Sequence, residues 1–248
     1  MLLLALYSIA VGFLIGAAGV GGVLLIPALM FFGDLETHQA MATALGSFFF
    51  VGVCSTWLFQ RHGSFQWGIT LPFLAGSLIS GYAGAYAGAQ VSARPLNMLL
   101  AAIIMLSSLY SLFPPRGTSL ASRLGKKGNA ALLFGTGMLT GFLCGMTGAG
   151  GGILSTPLMF LCGYATLPVI ATAQILQSAV SLSGSASNLE NGFIVFSIMW
   201  WTTAFEIVGV ALGVRIAHKL SLEALKKATA ILCILISLVI AQKAVFPL

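Results

Sequence analysis

Charge is what this chain lacks most. Of its 248 residues only 6% are Asp, Glu, Lys or Arg, while 58% are hydrophobic. A soluble domain carries roughly 25% charged residues to solvate its surface, so a water-soluble globule is excluded. Cysteine is sparse as well. Cys54, Cys144, Cys162 and Cys233 each lie inside an apolar run and form no CxxC pair, which fits small buried hydrophobes better than a disulfide framework or a thiolate metal site. His38, His62 and His218 stand at the edges of apolar runs, too scattered for a metal centre. No nucleophile–base pair and no ligand cluster is visible, so the pattern is not that of an enzyme, and neither cofactor nor metal is expected.

Long polar segments are missing too. Apolar runs of the length a bilayer demands, about 20 residues, recur at about 3–32, 39–60, 67–91, 95–113, 129–162, 167–188, 194–218 and 228–246. The stretch 114–128 lies outside them and is too short for a soluble domain. The expectation is an all-α polytopic membrane protein with the lipid bilayer as its solvent. The start, MLLLALYSIAVGFLIGAAG, is oily enough for a signal peptide but has no basic n-region. It also recurs internally, so it is read as mature structure. The formal net charge of +6 comes from Lys and Arg at the ends of apolar runs, where topology signals sit. No nucleic-acid partner is expected.

What the chain has in quantity is glycine, 30 residues of it, and it is patterned. GFLIGAAGVGG at 12–22 returns as GFLCGMTGAGGG at 141–152, about 129 residues later. Pro27 and Gly33 match Pro157 and Gly163, Ala42-Thr43 matches Ala171-Thr172, Gly63 matches Gly192, and Gly84 matches Gly213. The chain therefore reads as two homologous halves, 1–113 and 129–248, joined by a basic linker, 114–128. Such duplication is typical of transporters.

Charge decides how the halves are oriented. If each glycine segment crosses once, the Lys and Arg residues divide almost evenly between the two sides. If each segment turns at its glycines and returns, Arg61, Arg116, Arg123, Lys126, Lys127, Arg215, Lys219, Lys226 and Lys227 share one face, opposed only by Arg94 and Lys243. Cytoplasmic loops collect Lys and Arg, so the second arrangement is expected. It gives inverted repeats, each a Gly-broken helical hairpin followed by three transmembrane helices, with both termini periplasmic or extracellular and the linker cytoplasmic. Whether the arms of the hairpin fully cross is left open by the sequence.

Backbone that leaves the helix inside a bilayer is tolerated only where protein or a watery cavity satisfies it. Duplicated breaks thus predict a protected central site. The restarting helices offer unpaired N–H groups and positive dipole ends, which suit an anion without any buried Lys or Arg. The candidate binding residues are Gly19, Gly21 and Gly22 in the first break, and Thr147, Gly148, Gly150, Gly151 and Gly152 in the second. Thr43 and Ser47 in ATALGSF, and Gln174, Gln177 and Ser178 in TAQILQSAVSLSGSASN, supply uncharged donors nearby. Gln174, Gln177, Ser178 and Ser181 share one helical face. Each of these hydroxyls and amides has a competing role as a bond to a neighbouring helix. Gly137, Gly141 and Gly145, Gly76, Ser80, Gly84 and Gly88, and Gly209 and Gly213 read instead as small-residue packing faces, which also allow a homodimer. Glu206, deep in 194–218, stands opposite Ser77 in the repeat. It is either a proton-coupling group or half of an ion pair with Arg94 or Arg215. Trp57, Trp67, Trp200 and Trp201 read as interface anchors.

The phrases GFLIGAAGVGGVLLIPALMF and GFLCGMTGAGGGILSTPLMF, the ATAL/ATAQ helices that follow and the NG step at 191–192 resemble the sulfite exporter TauE/SafE family over nearly the whole chain. The resemblance implies an inner-membrane permease that moves sulfite, organosulfonates or related small anions, usually outward. It marks Gly19, Gly21 and Gly22 with Gly148, Gly150 and Gly151 as the motif positions. The first half reads GVGG where the second reads GAGGG, so unequal contributions to a site are expected. The reading that follows is a secondary transporter working by alternating access. An anion channel, or a carrier of another small anion such as a carboxylate, with proton coupling through Glu206, is the alternative.

Overall fold

The computed structural model describes residues 2–19, 21–112, 125–164 and 166–217, with scattered helical residues between 231 and 242. Among the described residues every element is helical. They are α1 (Leu2–Ala18), a single 3-10 turn (Gly22–Leu24), α2 (Leu25–Phe32), α3 (Thr37–Arg61), α4 (Trp67–Gln90), α5 (Ala93–Leu112), α6 (Lys126–Thr147), α7 (Gly152–Leu161), α8 (Thr166–Glu190) and α9 (Phe196–Ala217). Five of them, α3, α4, α6, α8 and α9, are long and apolar enough to cross a membrane. Most of the linker 114–128, Arg116, Arg123, His218, Lys219, Lys226, Lys227, Cys233 and Lys243 fall outside the described residues.

Helix boundaries follow local chemistry. Glu36 caps α3, with Gln39 reaching back to the Glu36 N–H at 3.4 Å, a reciprocal capping box. At the other end, Gly63 sits at φ +66°; its N–H donates to the Gln60 carbonyl at 3.0 Å and that of Ser64 to Phe59 at 3.3 Å. The α8–α9 turn repeats this bond for bond. Gly192 is at φ +67°, and the N–H groups of Gly192 and Phe193 donate to Leu189 and Asn188 at 3.1 and 3.3 Å. Both are the left-handed helix ends that glycine makes cheap.

The same correspondence governs packing. α1 lies along α9, where a Cβ on Gly12 would collide with the Glu206 carbonyl and one on Gly213 with that of Phe13. α4 lies along α6, where Gly141 meets the Ser77 carbonyl and Gly84 that of Phe142. These are the same contacts shifted by about 129 residues, each half gripping the other's first helix with the helix that follows its Gly63 or Gly192 turn. Close backbone approach over small residues is what holds helices together where lipid removes the hydrophobic drive. The glycine faces expected to pack are thereby filled within one chain. Contact order along each pair also gives direction. Gly12 and Gly16 of α1 meet Glu206 and Val210 of α9, so these helices run the same way. In contrast, Gly52 of α3 lies beside Ser178 of α8 while Leu45 lies beside Gly184, so α3 and α8 run oppositely.

The surface is apolar, with Leu6, Ile79, Leu106, Leu182 and Val208 more than half exposed. Trp57, Trp67, Trp200 and Trp201 are about half exposed, the Arg61 guanidinium lying 3.8 Å over the Trp57 ring. Polar side chains concentrate inside, chiefly on α3 and α8. This arrangement suits a lipid solvent and leads directly to the interior.

Candidate functional site

Both glycine phrases interrupt helices where the sequence predicts. α1 ends at Ala18; Gly19 is at φ +70° and Gly21 at φ +149° before the 3-10 turn that leads into α2. α6 ends at Thr147, Gly148 and Gly150 take φ +66° and +75°, and α7 restarts at Gly152. A residue with a Cβ would lose about 1–2 kcal/mol at each left-handed position. The returning arms α2 and α7 have 8 and 10 residues. At 1.5 Å per residue they reach roughly 12 and 15 Å, about half of a hydrocarbon core near 30 Å thick. The question of full crossing is thus answered for the second arms: they are too short.

The two breaks meet. A Cβ on Gly152 would be driven into the Gly19 carbonyl. A Cβ on Gly151 would lie 2.8 Å from the Gln177 backbone nitrogen, and one on Gly150 would lie 3.7 Å from Gln177 Cδ. α8 therefore passes along the second break with Gln177 against it. Gln177 is 2% exposed, yet its Nε2 has no hydrogen-bond partner among the described residues. An unpaired buried amide costs about 1–3 kcal/mol. A buried donor beside the start of a helix has the chemistry to meet a negatively charged group.

The other predicted residues separate into engaged and open groups. Gln174 Nε2 donates to the Ile15 carbonyl at 2.9 Å, the same oxygen that accepts the Gly19 N–H at 2.9 Å. It braces the first break. Thr43 Oγ1 accepts the Val195 N–H at 3.0 Å and so ties α3 to the start of α9. Thr147 donates to Leu143 at 2.7 Å, and Ser178 to Gln174 at 3.2 Å, both back into their own helices. Thr172 pairs with Thr70 at 2.8 Å, joining α4 to α8. Among the described residues, Ser155 and Thr156 on α7, Ser181 on α8 and the Oε1 of Gln174 are buried without hydrogen-bond partners. Ser107 of α5 donates to the Ile153 carbonyl and holds the first turn of α7.

Glu206 is fully buried where α1, α3 and α9 meet, its backbone against Gly12 and its carboxyl facing the Ser47 hydroxyl. Ser47, however, donates to the Ala44 carbonyl at 2.9 Å. Both Glu206 carboxyl oxygens lack a hydrogen bond among the described residues, so the ion pair with Arg94 or Arg215 is not formed. A cavity of about 390 Å³ opens beside α2 and α5, lined by Pro27, Met30, Phe31, Thr37, His38 and Asn97 among others.

One residue of the centre went unmarked in the sequence. The Phe48 ring is fully buried, with Cζ 3.1 Å from a Cβ placed on Gly22 and Cδ2 3.2 Å from one placed on Gly150. It touches both breaks. The available signal was the repeat register itself, which sets Phe48 opposite Gln177.

Comparison with known proteins agrees with this architecture. The model of the family described as "Sulfite exporter TauE/SafE" matches residues 4–240. The "Probable membrane transporter protein YunE" of Bacillus subtilis is 24% identical over 276 residues, covering 99% of this chain and 98% of that protein. The "Probable membrane transporter protein YfcA" of Escherichia coli K12 is 26% identical over 260 residues, covering 99% and 90%. No solved structure is significantly similar to the chain.

Proposed function

The chain belongs to the sulfite exporter TauE/SafE family, and as such is a multi-pass membrane protein of transporter type; from that premise we propose that it exports a small sulfur oxyanion, sulfite or an organosulfonate, by alternating access. The observation that carries the proposal is the meeting of the two breaks beside the unpartnered Gln177 amide. The anion sits between the restarting helices, held by N–H groups at the start of α7, by Gln177 Nε2 and by nearby hydroxyls. Uncharged donors bind an oxyanion and still release it. Export needs no coupled ion, because an interior-negative potential drives each expelled negative charge with about 2.3 kcal/mol per 100 mV.

The two halves act as inverted repeats, a reading supported by the opposite directions of α3 and α8 and by the reciprocal α1–α9 and α4–α6 contacts. Both termini then face outward, the 114–128 linker faces the cytoplasm, and alternating access is a rocking of one half against the other. Glu206 favours a second component. A buried carboxyl whose oxygens take no hydrogen bond among the described residues is positioned to carry a proton during the cycle.

The test is flux in proteoliposomes loaded with sulfite or sulfoacetate. Saturable efflux that grows with an interior-negative potential is expected. If other anions leave and these do not, the substrate assignment fails. Flux that does not saturate and shows no counterflow would make the protein a channel.

A further inference from the structure

We propose that Phe48 is the gate and size filter of the transport path, its ring occupying the space between the two breaks that a bulky anion would need. This rests on the reading of the breaks as the anion site. α3 carries three successive phenylalanines, and they face different ways. Phe49 and Phe50 are partly exposed, Phe50 lying 4.8 Å from the Trp200 ring. Phe48 alone of the three is fully buried. Its Cζ edge lies against Gly22 and its Cδ2 edge against Gly150, so one ring bridges loops that are far apart in sequence.

The repeat shows what the ring displaces. About 129 residues after Phe48 comes Gln177, and both approach Gly150: the ring at 3.2 Å and the amide carbon at 3.7 Å from a Cβ built there. One half contributes a hydrogen-bond donor at this register and the other a flat apolar body. A phenyl ring offers an anion no N–H or O–H, so its role at the break is steric. With the ring in place Gln177 Nε2 has no partner among the described residues. Turning the ring, or shifting α3, opens the space beside that donor. The ring therefore closes the path when no anion is bound and limits the width of the anion that enters. A residue that merely fills the core would affect stability and leave selectivity unchanged.

The experiment measures efflux and counterflow of sulfite and of benzenesulfonate from proteoliposomes containing the wild type, Phe48→Ala, Phe48→Leu or Phe73→Leu. Phe73 is also fully buried, but lies on α4, its backbone carbonyl against Gly137 of α6. Thermal unfolding is followed in parallel. The expected result is a tenfold or larger rise in the benzenesulfonate-to-sulfite flux ratio for Phe48→Ala, a smaller rise for Phe48→Leu, and none for Phe73→Leu. If Phe48→Ala does not fold, Phe48→Leu carries the same test. A folded Phe48 variant with an unchanged ratio, or with both fluxes reduced equally, overturns the gate. A wild type that moves neither anion overturns the anion-site reading instead.

Discussion

The two breaks have the same ancestry in pattern but different surroundings. The first, Gly19 to Gly22, meets Ile170, Leu14 and the Phe48 ring, and passes through a 3-10 turn before α2 forms. The second, Gly148 to Gly152, meets the Met41 backbone, the other edge of the Phe48 ring, the Gln177 side chain and backbone and the Gly19 carbonyl, and restarts directly as α7. The Phe48 ring lies against both breaks, while Gln177 lies against the second. A duplicated scaffold thus carries unlike side chains at one register, Phe48 in the first half and Gln177 in the second. On the proposed reading the backbone is shared, and these few side chains decide which half binds and which half closes.

The largest break in this comparison is expected at Gly152. Gly152→Val forces a branched side chain into the Gly19 carbonyl, whereas Gly22→Val meets only the edge of a ring that can move. Overpacking of this kind costs about 1–3 kcal/mol or more. Thermal unfolding in detergent should fall much further for Gly152→Val, with flux reduced more than a hundredfold; equal losses would erase the distinction.

Next comes the contrast between two glutamines on one helix. Gln177→Leu should lower kcat/KM for the anion by about 10–100-fold, since a hydrogen bond to a charged group is worth about 1.5–3 kcal/mol. Its melting temperature should hold or rise, because an unpaired buried amide is removed. Gln174→Leu loses the bond to Ile15 and should cost about 1 kcal/mol of stability. A Gln177→Leu protein that transports normally would move the site elsewhere.

Glu206→Gln keeps the shape and removes the proton-exchanging carboxyl. Transport driven by a pH gradient should lose that drive, a few-fold change, while potential-driven flux persists. Retention of the pH-gradient response in the variant would leave Glu206 without a coupling role. The smallest effects belong to the matched turns. Gly63→Ala and Gly192→Ala each place a Cβ at left-handed φ with nothing within 4 Å, so each should cost about 1 kcal/mol and leave flux unchanged. A clear inequality between them would show that the halves differ at their turns as well as at their centre.

Much of this was readable from residues. The breaks, the repeat match of Gly63 to Gly192, the apolar runs that became α3, α4, α8 and α9, and the packing faces follow from apolar length and glycine spacing, which are local properties. The division of labour between Gln174 and Gln177 was not readable. They lie on one helical face, and only the position of the Ile15 carbonyl, about 160 residues away in sequence, makes the first a brace and leaves the second open. Phe48 was hidden because a phenylalanine in an apolar run carries no mark of whether it meets lipid, core or path. The missing Glu206–Arg pair has the same origin: charge can be counted along a chain, but partners are set by helix rotation.

The grip of α9 on α1 has a consequence for biosynthesis. The glycine face of α1 finds its partner only after nearly 200 further residues have been made, which takes on the order of 10–40 s at 5–20 residues per second. During that interval α1 waits in the membrane with its small-residue stripe unmatched and the first break unbraced. The protein's central site is therefore among the last parts to assemble, although half of its chain is synthesised first.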